Sequence, residues 1–180
     1  MPSTPLSKAE LLSQLTNAKN NYILGMAAIS LFSSPATLPI LEQSHAAFGP
    51  YSIQFGQVAG LLRISKDREI AIKEFLTSQI RSLIKESFEL LKNYTEETKQ
   101  EAALQAEPWY QFARMIRNCL SHNFRFGFNA YDKKKLPQTW KAKTIAVSMD
   151  DQPLELAFFG YTETWEMFRE FEEFAKQRLV

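Results

Sequence analysis

Residues 114–123 read Arg114-Met115-Ile116-Arg117-Asn118-Cys119-Leu120-Ser121-His122-Asn123, and this stretch decides how the chain is interpreted. A helix advances by about 100° per residue, which places five polar side chains of the stretch on a single arc of about 140°. The apolar side chains fall on the opposite side, and a helix divided in this way buries its apolar side. We therefore predict a helix over 109–123 with a buried back and a polar front. In angular order, the polar arc holds Arg117, Ser121, Arg114, Asn118 and His122.

The composition indicates one folded domain over residues 1–180. Hydrophobic residues make up 45% of the chain and aromatic residues 13%, which is sufficient for a packed core. The formal net charge of +1 identifies no class of partner. The single cysteine, Cys119, excludes an intramolecular disulfide framework and a zinc site built on several thiolates. From this cysteine usage we expect a cytoplasmic protein.

No segment of the sequence is expected to enter a membrane. The longest apolar run, 22–32, has 11 residues, whereas about 20 are needed to span a bilayer. No basic segment precedes an apolar run with a small-residue cleavage site, so we predict no secretory signal.

Hydrophobic periodicity predicts about five helical segments. The clearest one begins at Asp67, because an apolar stripe repeats every three or four residues from Ile72 to Leu91. Residues 36–51 are predicted to form a loop or a short helix, and 52–64 a short helix. The longer predicted helices cover 7–32, 67 to about 93, 95–106 and 109–123, and Thr162 is expected to cap a last one.

Residues 143–160 have the alternation of a β-hairpin. Apolar and polar residues alternate over 144–149 and again over 154–158, with the polar turn 150–153 between them. The predicted architecture is therefore mainly α, a helical bundle of about five helices with a small C-terminal β-hairpin and a final helix.

The polar arc has two interpretations. Arg114, Arg117 and Asn118 can be the solvated face of a surface helix, with His122 complementing the helix dipole near its C-terminus. Alternatively, the two arginines repel each other unless an anion lies between them, because the stretch contains no carboxylate, and guanidinium groups match phosphate oxygens. An imidazole with an ordinary pKa of about 6.5 exchanges protons at cellular pH. The arc thus contains groups sufficient for metal-free cleavage of a phosphodiester.

Arg117-Asn118-Cys119-Leu120-Ser121-His122 resembles the arginine–polar–(three to five residues)–histidine signature of the HEPN superfamily (higher eukaryotes and prokaryotes nucleotide-binding). Many members are helical bundles that act as metal-independent ribonucleases in toxin–antitoxin, abortive-infection and RNA-processing systems. Others have lost catalysis or bind nucleotides. The resemblance covers the motif helix closely and the long helices in architecture only. It implies a homodimer in which two copies of the motif helix face each other across a cleft.

Helical geometry agrees with a site shared between two chains. Arg117 and His122 lie at opposite edges of the arc, about 140° apart, and aim at different places within one chain. A two-fold axis beside the arc brings each histidine towards the arginine of the other chain. In the ribonuclease that the resemblance implies, His122 is the general base or acid for attack by the RNA 2′-hydroxyl, which gives a 2′,3′-cyclic phosphate. Arg117 stabilises the phosphorane, Asn118 orients the imidazole or phosphate, and Arg114 with Ser121 helps to hold the phosphate.

A basic segment follows the motif. Residues 125–143 contain six basic side chains and one acidic one, Asp132, and so carry a formal charge of +5. These cations are candidates to guide an RNA backbone, and the aromatic residues at 124, 126, 128 and 131 are candidates to stack on bases. A solvated lysine loop and ordinary core packing are the alternatives. The further predicted substrate contacts are Arg125, Lys133, Lys134 and Lys135.

The sequence predicts no cofactor and no metal site. His45 has no carboxylate or cysteine neighbours, and the glycines form no nucleotide-binding fingerprint. The leading hypothesis is a cytoplasmic, homodimeric, metal-independent endoribonuclease, the toxic half of a phage-defence or toxin–antitoxin pair with a cognate antitoxin or regulator. The alternative is a catalytically inactive module of the same architecture that binds a nucleotide, RNA or a regulatory protein. A plain helical interaction protein is the third hypothesis, and it predicts a monomer.

Overall fold

The computed structural model describes residues 6–180. Helices make up most of this part of the chain, which confirms the predicted mainly α class, and the strands form two small antiparallel pairs. The helices are α1 (Lys8–Phe32), α2 (Leu38–Gln43), α3 (Gly56–Arg63), α4 (Ser65–Glu97), α5 (Glu101–Gln105), α6 (Tyr110–Ser121), α7 (Ala130–Lys135) and α8 (Tyr161–Gln177). The strands are β1 (His45–Phe48), β2 (Tyr51–Gln54), β3 (Gln138–Trp140) and β4 (Lys143–Ile145).

Contacts divide the described residues into two compact units. The first consists of 6–20 and Ile80–Val180, and contains α5 to α8 with β3 and β4. The second, Asn21–Gln79, contains α2, α3 and the β1–β2 pair. The sequence indicates no boundary between them, because both divisions fall inside long helices, α1 and α4, whose periodicity continues across the division.

The core of the first unit surrounds α6. Phe112 and Ile116 on its apolar back are completely buried. Trp109, just before the helix, packs on Phe171 of α8 with ring centroids 5.0 Å apart, and Phe112 packs on Trp140 of β3 at 5.6 Å. This burial confirms the predicted buried back of the helix, which α8 and β3 cover.

The second unit contains a hairpin that the sequence did not predict. Strands β1 and β2 pair antiparallel, with Phe48 opposite Tyr51, and Gly49 has the positive φ of 55° that the tight turn requires. The backbone N–H of Phe55 donates to the carbonyl of Ser44 at 3.0 Å and closes the base of the hairpin. Of the loop or short helix predicted for 36–51, the helix is present as α2. The strands were missed because each spans four residues, too few for a distinct alternation.

The hairpin predicted over 143–160 is wrong in position. The observed one joins β3 to β4, and Val147–Met149 forms a 3₁₀ turn. Residues 151–154 pair instead with 124–126: the N–H of Leu154 donates to the carbonyl of Phe124 at 2.7 Å, and the N–H of Phe126 to that of Gln152 at 2.9 Å. The alternation correctly indicates an extended, half-buried segment. Which other segment it forms hydrogen bonds with is decided by tertiary packing.

Several helix boundaries also differ from the predictions. Helix α4 continues to Glu97, and only α5 remains of the helix predicted over 95–106, because Lys99 has a left-handed φ of 60° between them. Helix α3 begins at Gly56, four residues later than predicted. The lysine-rich connector is a helix, α7, because the side chain of Asn129 caps it. Helix α8 begins at Tyr161 and is capped by Glu163, whose carboxylate accepts from the Gly160 N–H, rather than by Thr162.

No single helix in the described part of the chain is long and apolar enough to cross a membrane. Helix α1 and the segment Pro35–Gln43 together meet the length and composition of a span, but they bend by 92° at the break between them.

Candidate functional site

Helix α6 and the second half of α4 enclose a depression of about 180 Å³ in the first unit, which we call the α6–α4 pocket. The α6 residues in it lie on one face because they are spaced by three or four positions. Two of its lining residues form an aromatic pair: the ring of Tyr110 stacks on Phe88 with centroids 5.8 Å apart and an interplanar angle of 26°. The pocket therefore combines a stacked aromatic pair with several polar groups. It is lined by Phe88, Lys92, Tyr110, Arg114, Arg117 and Asn118.

Arg117 has a partner for each of its two terminal nitrogens. One terminal nitrogen forms an ion pair with Glu89 of α4, and the other donates to Oδ1 of Asn118 at 2.9 Å. Its Nε is buried without a hydrogen-bond partner among the described residues. Burial lowers the pKa of the Arg117 guanidinium, which nevertheless stays charged at cellular pH. The side chain is 29% exposed, so it is reachable from solvent.

Arg114 is fixed from a different element. It pairs with the carboxylate of Asp132 in α7, its Nε donates to Gln111 at 3.1 Å, and its guanidinium lies 5.2 Å from the ring centroid of Tyr131. Asp132 is almost completely buried. The α6 stretch itself contains no carboxylate. Its two arginines are paired instead with Asp132 of α7 and Glu89 of α4. An incoming anion must compete with Glu89 or Asp132 for a guanidinium.

Lys92 and Tyr110 add one more cation and a phenol to the pocket. Lys92 pairs with Glu96 one turn further along α4 at 3.2 Å, and both side chains are about half exposed. Such a surface pair contributes little and is easily exchanged for another anion. Burial raises the pKa of Tyr110, against a smaller opposing effect of the charge of Arg114. The phenol therefore stays protonated at cellular pH and can donate a hydrogen bond.

His122 lies just beyond the end of α6 and does not line the pocket. It is the C-cap residue, with φ −107° and ψ 51°, and its backbone N–H donates to the carbonyls of Asn118 and Cys119. The imidazole is exposed, and no hydrogen bond or ion pair to it is found in residues 6–180. Ser121 is also exposed, and its hydroxyl donates to the carbonyl of Arg117 at 3.0 Å. Of the five residues of the predicted arc, three line the pocket, namely Arg114, Arg117 and Asn118. Ser121 and His122 do not line it.

The chain turns sharply after His122. Asn123 and Phe124 have consecutive left-handed φ values of 53° and 56°. This conformation costs a phenylalanine about 1–2 kcal/mol, and such outliers cluster at functional sites. The turn is held by the hydrogen bond between the Leu154 N–H and the carbonyl of Phe124, and by Arg81, whose guanidinium lies 5.0 Å from the Phe124 ring. These contacts fix the backbone that carries the imidazole.

The basic segment is largely paired within the first unit. Lys133, Lys134 and Lys135 are all exposed, and Lys135 lies 5.6 Å from the ring centroid of Tyr131. The acidic partners belong to the turn at 150–151 and to α8. The ion pairs are Arg125–Asp151, Lys133–Asp150, Lys141–Glu166 and Lys143–Glu163.

The aromatic residues of the same segment have separate roles. Phe126 and Phe128 are buried against each other, with centroids 5.6 Å apart, so for them the core-packing alternative holds. Phe124 is half-buried under Arg81. Tyr131 is 53% exposed and lies beside Arg114, so it alone of the four has the exposure that base stacking requires.

The sequence correctly indicated the state of the cysteine. Cys119 is buried on the back of α6, and burial raises its pKa to about 12. A thiol of this kind is a packing residue and not a nucleophile at neutral pH. No cluster of three or more histidine, cysteine or carboxylate side chains placed to hold a metal is found between residues 6 and 180.

Several pocket residues were not identified from the sequence. Tyr110 lies one turn before Arg114, and its place on the polar face could have been read from that spacing. Phe88 and Lys92 of the pocket belong to α4, as does Glu89, the partner of Arg117, and no local signal connects them with α6. Only the packing of the two helices brings them to the site.

Comparisons of the chain with protein-family models, with curated proteins and with solved structures give no match.

Proposed function

We propose that this protein is a HEPN-type, metal-independent endoribonuclease whose active site forms between two copies of α6. The observation that carries the proposal is the position of His122, an exposed imidazole directly beyond the pocket that contains Arg117 and Asn118. A general base needs access to the substrate, while the groups that stabilise charge need fixed positions. The proposal places the chain in the cytoplasm, as the toxic half of a toxin–antitoxin or phage-defence pair.

The chemistry follows from these groups. His122 takes the proton from a ribose 2′-hydroxyl, the 2′-oxygen bonds to phosphorus, and the bond from phosphorus to the 5′-oxygen breaks. The leaving oxygen takes a proton from an imidazolium or from water, which leaves a 2′,3′-cyclic phosphate and a 5′-hydroxyl. Arg117 stabilises the phosphorane after exchanging Glu89 for a phosphate oxygen, and Asn118 and Arg114 position the phosphate.

The geometry within one chain supports a shared site. Arg117 lines the pocket and pairs with Glu89, whereas His122 lies past the helix end and outside the pocket. In a two-fold dimer of α6 helices, each chain supplies His122 to the pocket of the other. The basic side chains of Lys133, Lys134 and Lys135 then serve as contacts for the RNA backbone.

The proposal is tested by an RNase assay in EDTA on wild type, His122→Ala and Arg117→Ala. We expect wild-type cleavage products ending in a 2′,3′-cyclic phosphate, and rates reduced at least ~100-fold in both variants, since each removes a group that acts in the transition state. His45→Ala and Arg169→Ala, exposed residues of the same types, are the matched controls and should retain activity. Absence of EDTA-resistant cleavage, or activity that survives His122→Ala, contradicts the proposal.

Mixing the two inactive variants tests whether the site is shared. A heterodimer of His122→Ala and Arg117→Ala chains has one site that lacks both groups and one that has both. Random assortment makes half of the dimers heterodimers, so the mixture should regain about a quarter of wild-type activity. A mixture as inactive as its components shows that each site takes both groups from one chain.

A second candidate is a non-catalytic module that binds a nucleotide or RNA phosphate in the α6–α4 pocket. This function is favoured by the Phe88–Tyr110 stack, which lies in the same pocket as three cationic side chains. It is also favoured by the ion pairs that hold both pocket arginines on carboxylates when no ligand is bound. Calorimetric titration with nucleoside monophosphates separates the candidates. Binding that Lys92→Ala weakens and His122→Ala leaves unchanged, in a protein without RNase activity, supports this second function.

A further inference from the structure

The first unit contains another depression, of about 200 Å³, between the second half of α8 and the segment that joins α5 to α6. Its lining includes the carboxylates of Glu107, Glu170 and Glu173 and the aromatic rings of Trp109 and Phe174, and we call it the α8 pocket. The α8 residues share one face of the helix because they are spaced by three or four positions. Within the described chain, the α8 pocket has no lining residue in common with the α6–α4 pocket.

Acidic charge exceeds basic charge in the α8 pocket. Its cation is Arg178, whose Nε lies 3.8 Å from Oε1 of Glu107 and whose side chain is 66% exposed. The side chain of Gln177 donates to Glu173 at 2.9 Å. The carboxylate of Glu170 has no hydrogen bond or ion pair in residues 6–180. The lining therefore has a formal charge of −2 and favours a cationic ligand.

The indole of Trp109 indicates a ligand independently of this charge. Trp109 is only 4% exposed, and it packs on Phe171 and Phe174 with ring centroids 5.0 and 5.8 Å apart. Its indole N–H donates to no group in residues 6–180, yet it is not sealed from solvent. A buried tryptophan normally has a hydrogen-bond partner for this group. Because Trp109 lines the α8 pocket, its N–H is available there to an acceptor.

The ligand must therefore provide both a cation and a hydrogen-bond acceptor. A protonated polyamine has donors only, and it leaves the Trp109 N–H without a partner. An arginine residue within a peptide has both groups, a guanidinium and main-chain carbonyls. The planar guanidinium has five N–H donors and can reach the carboxylates of Glu170 and Glu173 together, while its methylene groups cover the ring of Phe174.

We propose that the α8 pocket binds an arginine residue of a partner peptide. The guanidinium pairs with Glu170 and Glu173, and a main-chain carbonyl of the peptide accepts a hydrogen bond from the indole N–H of Trp109. The partner is thus a protein with an exposed, arginine-containing segment. The proposal does not rest on the ribonuclease proposal, because the two sites have separate lining residues.

A titration of isotopically labelled protein with the blocked tripeptide glycyl-arginyl-glycine amide, followed by nuclear magnetic resonance, tests this proposal. The chain has three tryptophans and so gives three indole N–H signals, of which Trp109→Phe removes one and thereby assigns it. We expect this signal to move downfield and saturate, because the N–H gains an acceptor. The same peptide with citrulline in place of arginine is neutral but similar in shape, and should bind at least ~10-fold more weakly.

Glu170→Gln should raise the dissociation constant of the arginine peptide at least ~10-fold, because it removes the unpaired carboxylate. The matched control is Glu166→Gln, one turn earlier on α8, where the carboxylate pairs with Lys141 outside the pocket; it should bind like wild type. The comparison of arginine and citrulline peptides uses wild type alone, so it holds even if the variant fails to fold.

Three results overturn the proposal. The first is the absence of a saturable change in the Trp109 signal, and the second is equal binding of the arginine and citrulline peptides or equal binding by Glu170→Gln. The third is an equal displacement of the signal by spermidine, which assigns the pocket to polyamines. Each of these results leaves the ribonuclease proposal standing, because cleavage in EDTA is measured without a peptide ligand.

Discussion

At the scale of single residues, the central feature is the position of Arg117 between Glu89 and Asn118. Both terminal nitrogens have a partner, yet the buried Nε has none in the described chain. Glu89 thus orients the guanidinium and also competes with any anion for it. If the pocket binds phosphate, the strength of this ion pair sets how much binding energy is needed to release Arg117.

Glu89→Gln is expected to have two opposite effects. The free energy of unfolding should fall by about 1–2 kcal/mol, because a partly buried guanidinium loses its carboxylate. Binding of a short RNA should become several-fold tighter, because Arg117 no longer exchanges one anion for another. Denaturant titration and fluorescence anisotropy measure the two effects. Glu86→Gln, one turn earlier and exposed, is the control; equal affinities of all three proteins contradict a role of Glu89 in anion binding.

At the scale of secondary structure, α7 is attached to α6 by one buried carboxylate. Asp132 accepts from the N–H of Asn129 at 3.2 Å, its own N–H donates to the Asn129 side chain at 2.9 Å, and it pairs with Arg114. The same side chain therefore caps a short lysine-rich helix and holds it beside the polar face of α6. A six-residue helix is not stable alone, so these contacts determine where its lysines lie.

Asp132→Asn should destabilise the first unit by about 2 kcal/mol, because Arg114 is left without its carboxylate while the amide keeps part of the cap. Thermal unfolding measures the loss, and amide hydrogen exchange in Asp132→Asn should become faster in α7 than it does in α6. Asp151→Asn, at an exposed ion pair with Arg125, is expected to have no measurable effect. Equal stability of both variants means that α7 is held by other contacts.

At the scale of the whole molecule, α1 and α8 are joined by a charge cluster within the first unit. Glu172 accepts hydrogen bonds from Lys19 at 2.9 Å and pairs with Lys176 at 3.2 Å. Burial acts to raise the pKa of Glu172, but these hydrogen bonds and charges outweigh it and leave the pKa below the ordinary value. A carboxylate with a lowered folded-state pKa stabilises the fold above its unfolded pKa.

The free energy of unfolding should therefore be highest well above pH 4.5, the ordinary value, and fall as pH decreases through and below it. The loss occurs because protons bind Glu172 more tightly in the unfolded chain. Urea titrations between pH 7 and pH 3 measure the slope. Glu172→Gln should lower stability at pH 7 and flatten this dependence, whereas the exposed Glu173→Gln should preserve it. An unchanged slope in Glu172→Gln assigns the acid sensitivity to other carboxylates.

The sequence by itself determined the features that depend on neighbours along the chain. The apolar back of α6, the burial of Cys119 and the long α4 follow from residues three or four positions apart, which share a helix face whatever surrounds them. The division of polar from apolar side chains on α6 was visible for the same reason.

Tertiary structure alone decided which distant residues meet. Glu89 and Asp132 reach the arginines because α4 and α7 pack beside α6, and the strand-like segment 151–154 pairs with 124–126 instead of its sequence neighbour. The exposed apolar face of the β1–β2 hairpin is another such result. Alternation marks an apolar face but not what covers it, because burial is a property of the packed chain and its partners.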